Sequence, residues 1–144
     1  MRAGLRHEID RAAAEGYTRF LSGFAQGADL LFAGIVAELK RENTAIRLGA
    51  LLPYRNRLLS QEQTFQKLIA ACDEVTVLSE NYTPACFHER DRALVEAASL
   101  IIAVYDGRPA GGTRYTLRCA RRLGREVRQV RLWGPHSGQL EMPL

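Results

Sequence analysis

The sequence predicts an α/β protein with a mostly parallel sheet of about five strands and helices on both of its faces. Short apolar runs with strand character alternate with longer segments of helical periodicity along the chain. The connections between these segments are short, as expected where each helix links one parallel strand to the next. The run Leu100–Tyr105, LIIAVY, is the most apolar in the chain and is typical of a buried central strand. Together these features predict a Rossmann-like arrangement.

The predicted elements of the first half are, in order, a helix over residues 2–15, the strand Thr18–Ser22, a helix over Gln26–Arg41 and the strand Ile46–Leu52. In the first helix Leu5, Ile9 and Ala12 form an apolar stripe, and Gly16 follows as a helix-ending residue. The second helix is apolar over much of its surface, as expected for a helix that packs against a sheet. Pro53 ends the second strand.

The predicted elements of the second half are a helix over Gln61–Ala71, the strand Glu74–Leu78, a helix over residues 85–98, the strand Leu100–Tyr105, a helix over Gly112–Leu123 and the strand Val127–Leu132. Gly124 ends the last of these helices. From Gly134 the sequence contains Gly, Pro and Ser, a composition typical of loose chain. We therefore expect one domain over residues 1–133 and a loose tail over residues 134–144.

Composition favours a globular cytoplasmic protein without a membrane anchor. Of the 144 residues, 47% are hydrophobic and 25% are charged, which is ordinary for a globular domain of this size. No apolar run approaches the roughly 18 residues of a membrane span, and the first residues lack the apolar core of a signal peptide. Cys72, Cys86 and Cys119 are widely spaced, and the histidines are equally scattered. We therefore expect neither a metal site nor a disulfide.

The formal net charge of +4 comes largely from arginine, and much of it lies late in the chain. The arginines concerned are Arg114, Arg118, Arg121, Arg122, Arg125, Arg128 and Arg131. A solvated helix face explains them best, and the alternative is an anionic partner such as a phosphorylated ligand or nucleic acid. Aromatic residues are not interleaved with these arginines as they are on single-strand stacking platforms, so nucleic acid is the less favoured partner.

The loop after the first strand has the character of a ligand-binding turn. In Ser22–Asp29 two glycines, Gly23 and Gly27, lie four residues apart where a strand leads into a helix. Glycines allow the backbone to approach a ligand closely, and the N–H groups of the new helix face that ligand. Asp29 either caps this helix or accepts a hydrogen bond from a ligand hydroxyl, and the sequence leaves both roles open.

The loop after the LIIAVY strand carries the stronger indication of a phosphate site. Gly111, Gly112 and Thr113 open a helix, where unpaired N–H groups, the positive end of the helix dipole and a hydroxyl meet. Asp106 and Gly107 stand directly after the strand. The alternative is that Thr113 is an ordinary N-cap residue.

Two further segments supply candidate ligand contacts. Pro53 and Tyr54 follow the second strand. Tyr54 at this position either stacks on a nucleotide base or is an ordinary half-buried residue at the rim of the crevice. Arg90 and Arg92 lie two residues apart on a helix and point in different directions, so we expect at most one to face a given ligand.

In their order these segments resemble the DUF1273 family, also called YpsA-like, of the SLOG superfamily of Rossmann-like nucleotide-binding domains. The resemblance covers roughly residues 3–131. The matching segments are Ser22-Gly23 with Gly27 and Asp29, Leu52-Pro53-Tyr54, Ser79 to Pro84, Arg90 with Arg92, Ala103 to Gly107, and Gly111-Gly112-Thr113. The resemblance implies that the glycine turns hold a nucleotide-derived ligand.

The chain departs from the family pattern in three respects. Family members usually begin with a hydrophobic strand that ends in a Gly-His-Arg loop, whereas this sequence starts directly at the first helix, through truncation, a misplaced start or divergence. A protein without this strand is expected to have open sheet edges. Asp91 stands where the family usually has Asn. Glu96 and Ser99 likewise stand in place of the acidic residues that are usual at their positions in the family pattern. The catalytic glutamate of the related phosphoribohydrolases is absent, because Gly111-Gly112-Thr113 is followed by Arg114-Tyr115-Thr116.

Three functional hypotheses remain. The favoured one is a module that binds or senses a small nucleotide-derived ligand, with no certain cofactor. A nucleotide-processing hydrolase or transferase is the alternative, and it would use Asp29, Asp106 or Glu96 as its base. Nucleic-acid binding is the third and least favoured. Open sheet edges also predict a homo-oligomer that covers them.

Overall fold

A computed structural model describes residues 1–105 and 112–131 of the chain, and within them five helices alternate with five parallel strands. The elements in chain order are α1 (Arg2–Ala14), β1 (Arg19–Ser22), α2 (Ala28–Glu42), β2 (Arg47–Leu52), α3 (Gln63–Ala71), β3 (Glu74–Val77), α4 (Cys86–Ala97), β4 (Leu100–Tyr105), α5 (Gly112–Arg122) and β5 (Glu126–Arg131). A short 3-10 helix over Arg55–Leu59, which was not predicted, follows β2.

The predicted elements are confirmed in type and order, and each lies within two residues of its expected bounds. The α/β class is therefore confirmed. None of the helices in the described part of the chain is long and apolar enough to cross a membrane. The predicted loose tail, residues 134–144, lies outside the described residues.

The prediction of one sheet with about five strands is wrong. The strands form two separate parallel sheets, one of three strands in the order β1-β2-β3 and one that pairs β4 with β5. The registers are regular: Arg19 pairs with Arg47 at the start of β1, and Leu100 pairs with Glu126 at the start of β4. No strand joins β1 to β4 among the described residues, so a groove separates the two sheets.

The central position predicted for β4 is also wrong. This strand pairs with β5 on one side only, and its other edge borders the groove. Its apolar sequence is explained by its two faces. Ile101 and Ala103 are buried in a cluster with α4 and α5, whereas Ile102 and Val104 pack against the main core on the opposite face. A strand covered on both faces is apolar whether or not both of its edges are paired.

Helix α1 connects the two sheets over one face of the molecule. Leu5, Ile9 and Ala12 are buried in the main core, which also includes Val130 of β5. The close approach of α1 to β5 depends on Gly4, since a Cβ atom there would lie 2.7 Å from Cγ1 of Val130. On the other face α4 packs against α5 and contacts β2. The groove is therefore covered by one helix on each face.

Candidate functional site

The candidate site is a cavity of about 650 Å³ that begins at the carboxyl end of β1 and continues as the groove between β1 and β4. The end of the cavity beside the carboxyl end of β1 is lined by Ser22, Gly23 and Asp29, together with Arg90 and Asp91 of α4. Ligands of parallel α/β proteins commonly bind at the carboxyl ends of strands. Four of the site residues predicted from the sequence are therefore brought to one position, namely Ser22, Gly23, Asp29 and Arg90.

The loop between β1 and α2 is held by side-chain hydrogen bonds to its own backbone. The Ser22 hydroxyl donates to the Asp29 carbonyl at 2.9 Å and accepts from the Phe24 N–H at 3.2 Å. The Asp29 carboxylate accepts from the Ala25 N–H at 3.2 Å. Asp29 therefore closes the loop and does not serve as the N-cap of α2, which is Gly27. These three hydrogen bonds tie the loop to its own backbone and define its shape.

Phe24 lies at the centre of this loop in an unusual conformation. Its φ angle is +55°, a left-handed value that is uncommon for a residue with a side chain. The ring is fully buried and packs edge-on against Phe65, with 5.8 Å between the ring centroids. Burial of a phenylalanine ring stabilises the fold by about 1.5–3 kcal/mol, enough to offset a backbone strain of about 1–3 kcal/mol. Such strained positions cluster at binding loops.

Arg90 is a buried cation directly beneath the loop. Its side chain is only 10% exposed, its Nη1 donates to the Gly23 carbonyl at 3.3 Å, and its Nε donates to Oδ1 of Asp91 at 3.1 Å. A Cβ atom at position 23 would lie 3.0 Å from Cδ and Nε of Arg90 and 3.1 Å from Oδ2 of Asp29. Gly23 therefore favours the close approach of loop, guanidinium and carboxylate, because a Cβ atom there would force these side chains to shift by a few tenths of an ångström.

The charges at this point are one guanidinium and two carboxyl groups. Burial raises the pKa of Asp29, and the Arg90 charge and the Ala25 N–H only partly oppose this rise. Burial also raises the pKa of Asp91, again opposed by Arg90, while the charge of Asp29 raises it further. With both carboxyl groups ionised, the cluster carries one net negative charge. It therefore favours hydrogen-bond donors or a cation over a phosphate in direct contact.

The N-terminus of α2 borders the same cavity. Gly27 adopts a φ of +87°, which favours glycine, and it makes no side-chain capping bond. Gly27 itself does not line the cavity, but Ala28 and Asp29 of the first turn do. The first-turn N–H groups of a helix lack intrahelical acceptors and carry partial positive charge, so they can donate to an anion. Thr116 of α5 lines the cavity from the other side.

An aromatic cluster lies beside Arg90, in the segments that follow β2 and β3. Tyr54, Tyr82 and Phe87 contact one another edge to face, with ring centroids 5.6 to 6.3 Å apart. The Arg90 guanidinium carbon lies 5.6 Å from the Phe87 ring centroid. Tyr82 as a residue is 59% exposed, which leaves surface open to a planar ligand.

The remaining predicted site residues are distributed as follows. Pro53 is buried at the end of β2, and Tyr54 belongs to the aromatic cluster without lining the cavity. Arg92 points away, with its side chain 58% exposed and its Nε 3.5 Å from Oε1 of Glu96. Helix α5 begins at Gly112, with Thr113 as its second residue, and nothing is described of the Thr113 side chain. Asp106, Gly107 and Gly111 lie outside the described residues.

The late arginines divide into two groups. Arg125 donates to the carbonyls of Val95 and Glu96 at 3.2 Å, and Arg128 pairs with Glu15 and Glu126. The others whose side chains are described lie exposed on α5, namely Arg114, Arg118, Arg121 and Arg122. Their spacing places these four on one side of the helix, which is consistent with a solvated helix face.

Sequence reasoning missed three residues of the site. Asp91 was noted only as a departure from the family, yet it is buried and forms the ion pair with Arg90. Phe24 was not singled out, because nothing in its residue type signals a left-handed backbone. Phe87 joins the aromatic cluster to Arg90. Its spacing of three residues from Arg90 was the available signal, since such residues are neighbours on a helix surface.

Comparisons with known proteins identify relatives of this chain. Residues 1–131 match the model of the YpsA family, described as "YspA SLOG family". A UPF0398 protein of Bacillus pumilus is 25% identical over 124 residues, which cover 82% of this chain and 67% of that protein. The uncharacterised SPbeta prophage-derived protein YoqJ of Bacillus subtilis is 25% identical over 131 residues, covering 78% of this chain and 76% of that protein.

One solved structure shows a weaker likeness. It is (E)-4-hydroxy-3-methyl-but-2-enyl diphosphate reductase, which is 16% identical, with 94% of this chain and 54% of that chain covered. This chain therefore spans about half the length of the reductase. The TM-score of 0.26 is too low for any conclusion about fold or function.

Proposed function

This chain belongs to the YpsA family of SLOG proteins, as its sequence predicted, and we propose that it binds a nucleotide or related phosphorylated ligand at the carboxyl end of β1. The observation that carries the proposal is the preformed loop Ser22–Asp29 above the buried Arg90 guanidinium. A strained loop, a buried cation and two carboxyl groups with raised pKa at one cavity mouth are features typical of ligand sites.

The charge distribution favours one orientation of the ligand. Asp29 and Asp91 repel phosphate, and they accept hydrogen bonds from sugar hydroxyls. The phosphate then lies against the N–H groups at the start of α2, with the start of α5 at Gly112 as the second expected contact. A base extending towards β3 meets the exposed face of Tyr82.

The matched substitutions Gly23→Ala and Gly34→Ala test this proposal. A Cβ atom at position 23 forces Arg90 or Asp29 to shift by a few tenths of an ångström, whereas the same atom at position 34 in α2 meets no described heavy atom within 4 Å beyond its own stretch of helix. Calorimetric titration with a nucleoside monophosphate, a nucleoside diphosphate and a pyrophosphate-linked dinucleotide should identify a ligand of the parent protein. We expect Gly23→Ala to weaken its binding at least tenfold and Gly34→Ala to leave it unchanged. Equal affinity for both variants would place the ligand elsewhere.

The pH dependence of binding gives a second test with a defined sign. The raised pKa values of Asp29 and Asp91 mean that both carboxyl groups lose their charge at a higher pH than ordinary aspartates. As pH falls through these values, the net charge beside the ligand becomes more positive. Binding of the dinucleotide, whose pyrophosphate charge stays constant, should therefore tighten as the pH falls through the raised pKa values of these two carboxyl groups. Affinity that weakens as the pH falls would contradict the proposed position of the phosphate.

A nucleotide-processing hydrolase or transferase is the second candidate. Asp29 and Asp91 favour it, because a carboxyl group with a raised pKa beside a cavity is suited to proton transfer. Glu96 does not line the cavity and pairs with Arg92, so it is a poor choice of base. Chromatography of nucleotides incubated with the protein tests this candidate. Turnover by the parent that Asp29→Asn or Asp91→Asn abolishes would establish it over simple binding.

A further inference from the structure

Helix α5 presents a row of arginines with no acidic residue among them. The exposed members of this row are Arg114, Arg118, Arg121 and Arg122, and the helix contains neither aspartate nor glutamate. At about 100° per residue, the four fall within a sector of about 100° around the helix axis. Arginines four residues apart, such as Arg114 and Arg118, repel each other and lower the stability of the helix. A solvated face that mixes both signs of charge avoids this repulsion.

Exposed arginines on α1 have acidic partners, and those of the α5 row do not. On α1, Arg6 pairs with Asp10 one turn later at 3.0 Å. In the part of the chain that the structure describes, no carboxylate lies within 4.0 Å of a guanidinium of the row. The segments outside that part contain two acidic side chains, Asp106 and Glu141, which are too few to balance four arginines. The row therefore calls for an anionic partner.

A stacked aromatic pair lies beside the arginine row. The rings of His88 on α4 and Tyr115 on α5 lie 4.1 Å apart between centroids, with 9° between their planes. The hydrogen bond with Cys119 and burial raise the pKa of Tyr115, whereas the charges of Arg92 and Arg122 lower it in part. These two guanidinium groups therefore lie close to the Tyr115 hydroxyl. His88 is exposed, so the pair reaches the surface among the arginines.

This surface is separate from the ligand cavity at β1. Among the described residues of α5, only Thr116 lines that cavity, and His88 does not. The apolar side of α5 is also occupied, because Cys119 and Ala120 are buried in a cluster with α4 and β4. That side is therefore not available for insertion into a bilayer. A stacked aromatic pair among arginines suits a partner that carries both phosphates and bases.

We propose that the arginine row and the His88–Tyr115 pair together bind a single strand of nucleic acid. Guanidinium groups pair bidentately with phosphate oxygens, and the row extends about 12 Å from Arg114 to Arg122. Phosphates rise about 3.4 Å each along a stacked strand, so the row matches about three or four nucleotides. A base stacks on the exposed His88 ring, which a duplex with paired bases does not permit.

The probe for the experiment is a fluorescein-labelled oligothymidylate of about 12 nucleotides, within the range of single-strand binding sites. It is titrated into the full chain at several salt concentrations and followed by anisotropy. Four phosphate contacts on a single strand predict a slope of about −3 for log affinity against log salt concentration. We expect Arg118→Gln combined with Arg121→Gln to weaken binding about tenfold or more at low salt. The slope should fall to about −1.5.

Arg41→Gln combined with Lys67→Gln is the matched control. Both residues are exposed, on α2 and α3, and neither has an ion pair in the described part of the chain. This double variant loses the same net charge outside the proposed surface. We expect its affinity for the oligonucleotide to stay within about twofold of that of the parent, because long-range effects of two exposed charges are screened by salt.

Variants at His88 separate stacking from charge. His88→Ala removes the exposed ring and should weaken binding about fivefold or more, with the salt slope unchanged. His88→Phe keeps a ring for the base and should restore the affinity. An affinity that neither variant changes would contradict the role of the aromatic pair.

Four results would overturn the proposal. Oligonucleotide binding that is undetectable at low salt would refute it directly. Equal losses in the two double variants would attribute binding to net charge and not to α5. Displacement of the oligonucleotide by a polyglutamate peptide or by anionic phospholipid vesicles, at equal concentrations of charge, would assign the row to an acidic protein or a membrane. A loss of oligonucleotide binding in Gly23→Ala would place the strand at the cavity of β1, whereas equal binding keeps the two sites distinct.

Discussion

Alanine substitutions at two helical glycines should change stability in opposite directions. Gly34→Ala in α2 adds a methyl group that meets no heavy atom of the described residues within 4 Å, apart from its own stretch of helix. It removes the helix-propensity penalty of glycine, and we expect the free energy of unfolding to rise by about 0.5–1 kcal/mol. Gly4→Ala in α1 places its Cβ 2.7 Å from Cγ1 of Val130, about 1 Å closer than an ordinary carbon–carbon contact.

The expected cost at Gly4 follows from this overlap. Val130 is buried and β-branched, so its side chain has little freedom to move aside. Overpacking of this kind costs about 1–3 kcal/mol, and the propensity gain offsets only part of it because Gly4 lies in the first turn of α1. We therefore expect a net loss of about 1–2 kcal/mol for Gly4→Ala.

Urea unfolding of the parent and both variants, followed by circular dichroism, measures these changes as shifts of the midpoint. Combining Gly4→Ala with Val130→Ala relieves the overlap. We therefore expect the double variant to be about 1 kcal/mol more stable than the sum of the two separate losses predicts. If Gly4→Ala stabilises the protein as much as Gly34→Ala does, α1 does not pack on β5 and the connection between the two sheets is wrong.

Two further predictions concern groups outside the site. The Lys40 ammonium at 2.7 Å and the Leu48 N–H at 2.8 Å lower the pKa of Asp73, so its carboxylate stabilises the fold above about pH 4 and this contribution is lost as pH falls further. Asp73→Asn should thus cost about 1 kcal/mol at pH 7 and progressively less as the pH falls below about 4, and a loss that does not change with pH would refute this assignment. Burial raises the pKa of Cys72 to about 11. Iodoacetamide at pH 8 should therefore label it at least tenfold more slowly in the folded protein than in urea, as mass spectrometry would show.

The elements of the fold could be predicted because each has a local signal in the sequence. The apolar stripe of Leu5, Ile9 and Ala12 and the helix-ending Gly16 were sufficient to place α1. The number of sheets could not be predicted in the same way. An apolar run such as Leu100–Tyr105 reports that both faces of a strand are covered, and it carries no information about whether both edges are paired.

The candidate site was predictable only in part, for a similar reason. The spacing of Gly23 and Gly27 after a strand indicated a close backbone approach, and Gly23 does lie against Arg90. The rotation of α4 decides that Arg90, and not Arg92, faces the cavity, and this rotation depends on the packing of the whole helix. The left-handed backbone of Phe24 is likewise a consequence of burying its ring against Phe65.

An NMR titration tests the central claim most directly. Amide and arginine side-chain signals of the labelled protein would be followed while the nucleotide that binds best in calorimetry is added. We predict that the largest shifts fall on the amides from Gly23 to Asp29 and on the Nε–H of Arg90, because these groups border the mouth of the cavity. Shifts confined to the exposed arginines of α5, with the Gly23 amide unchanged, would contradict a nucleotide site at the carboxyl end of β1.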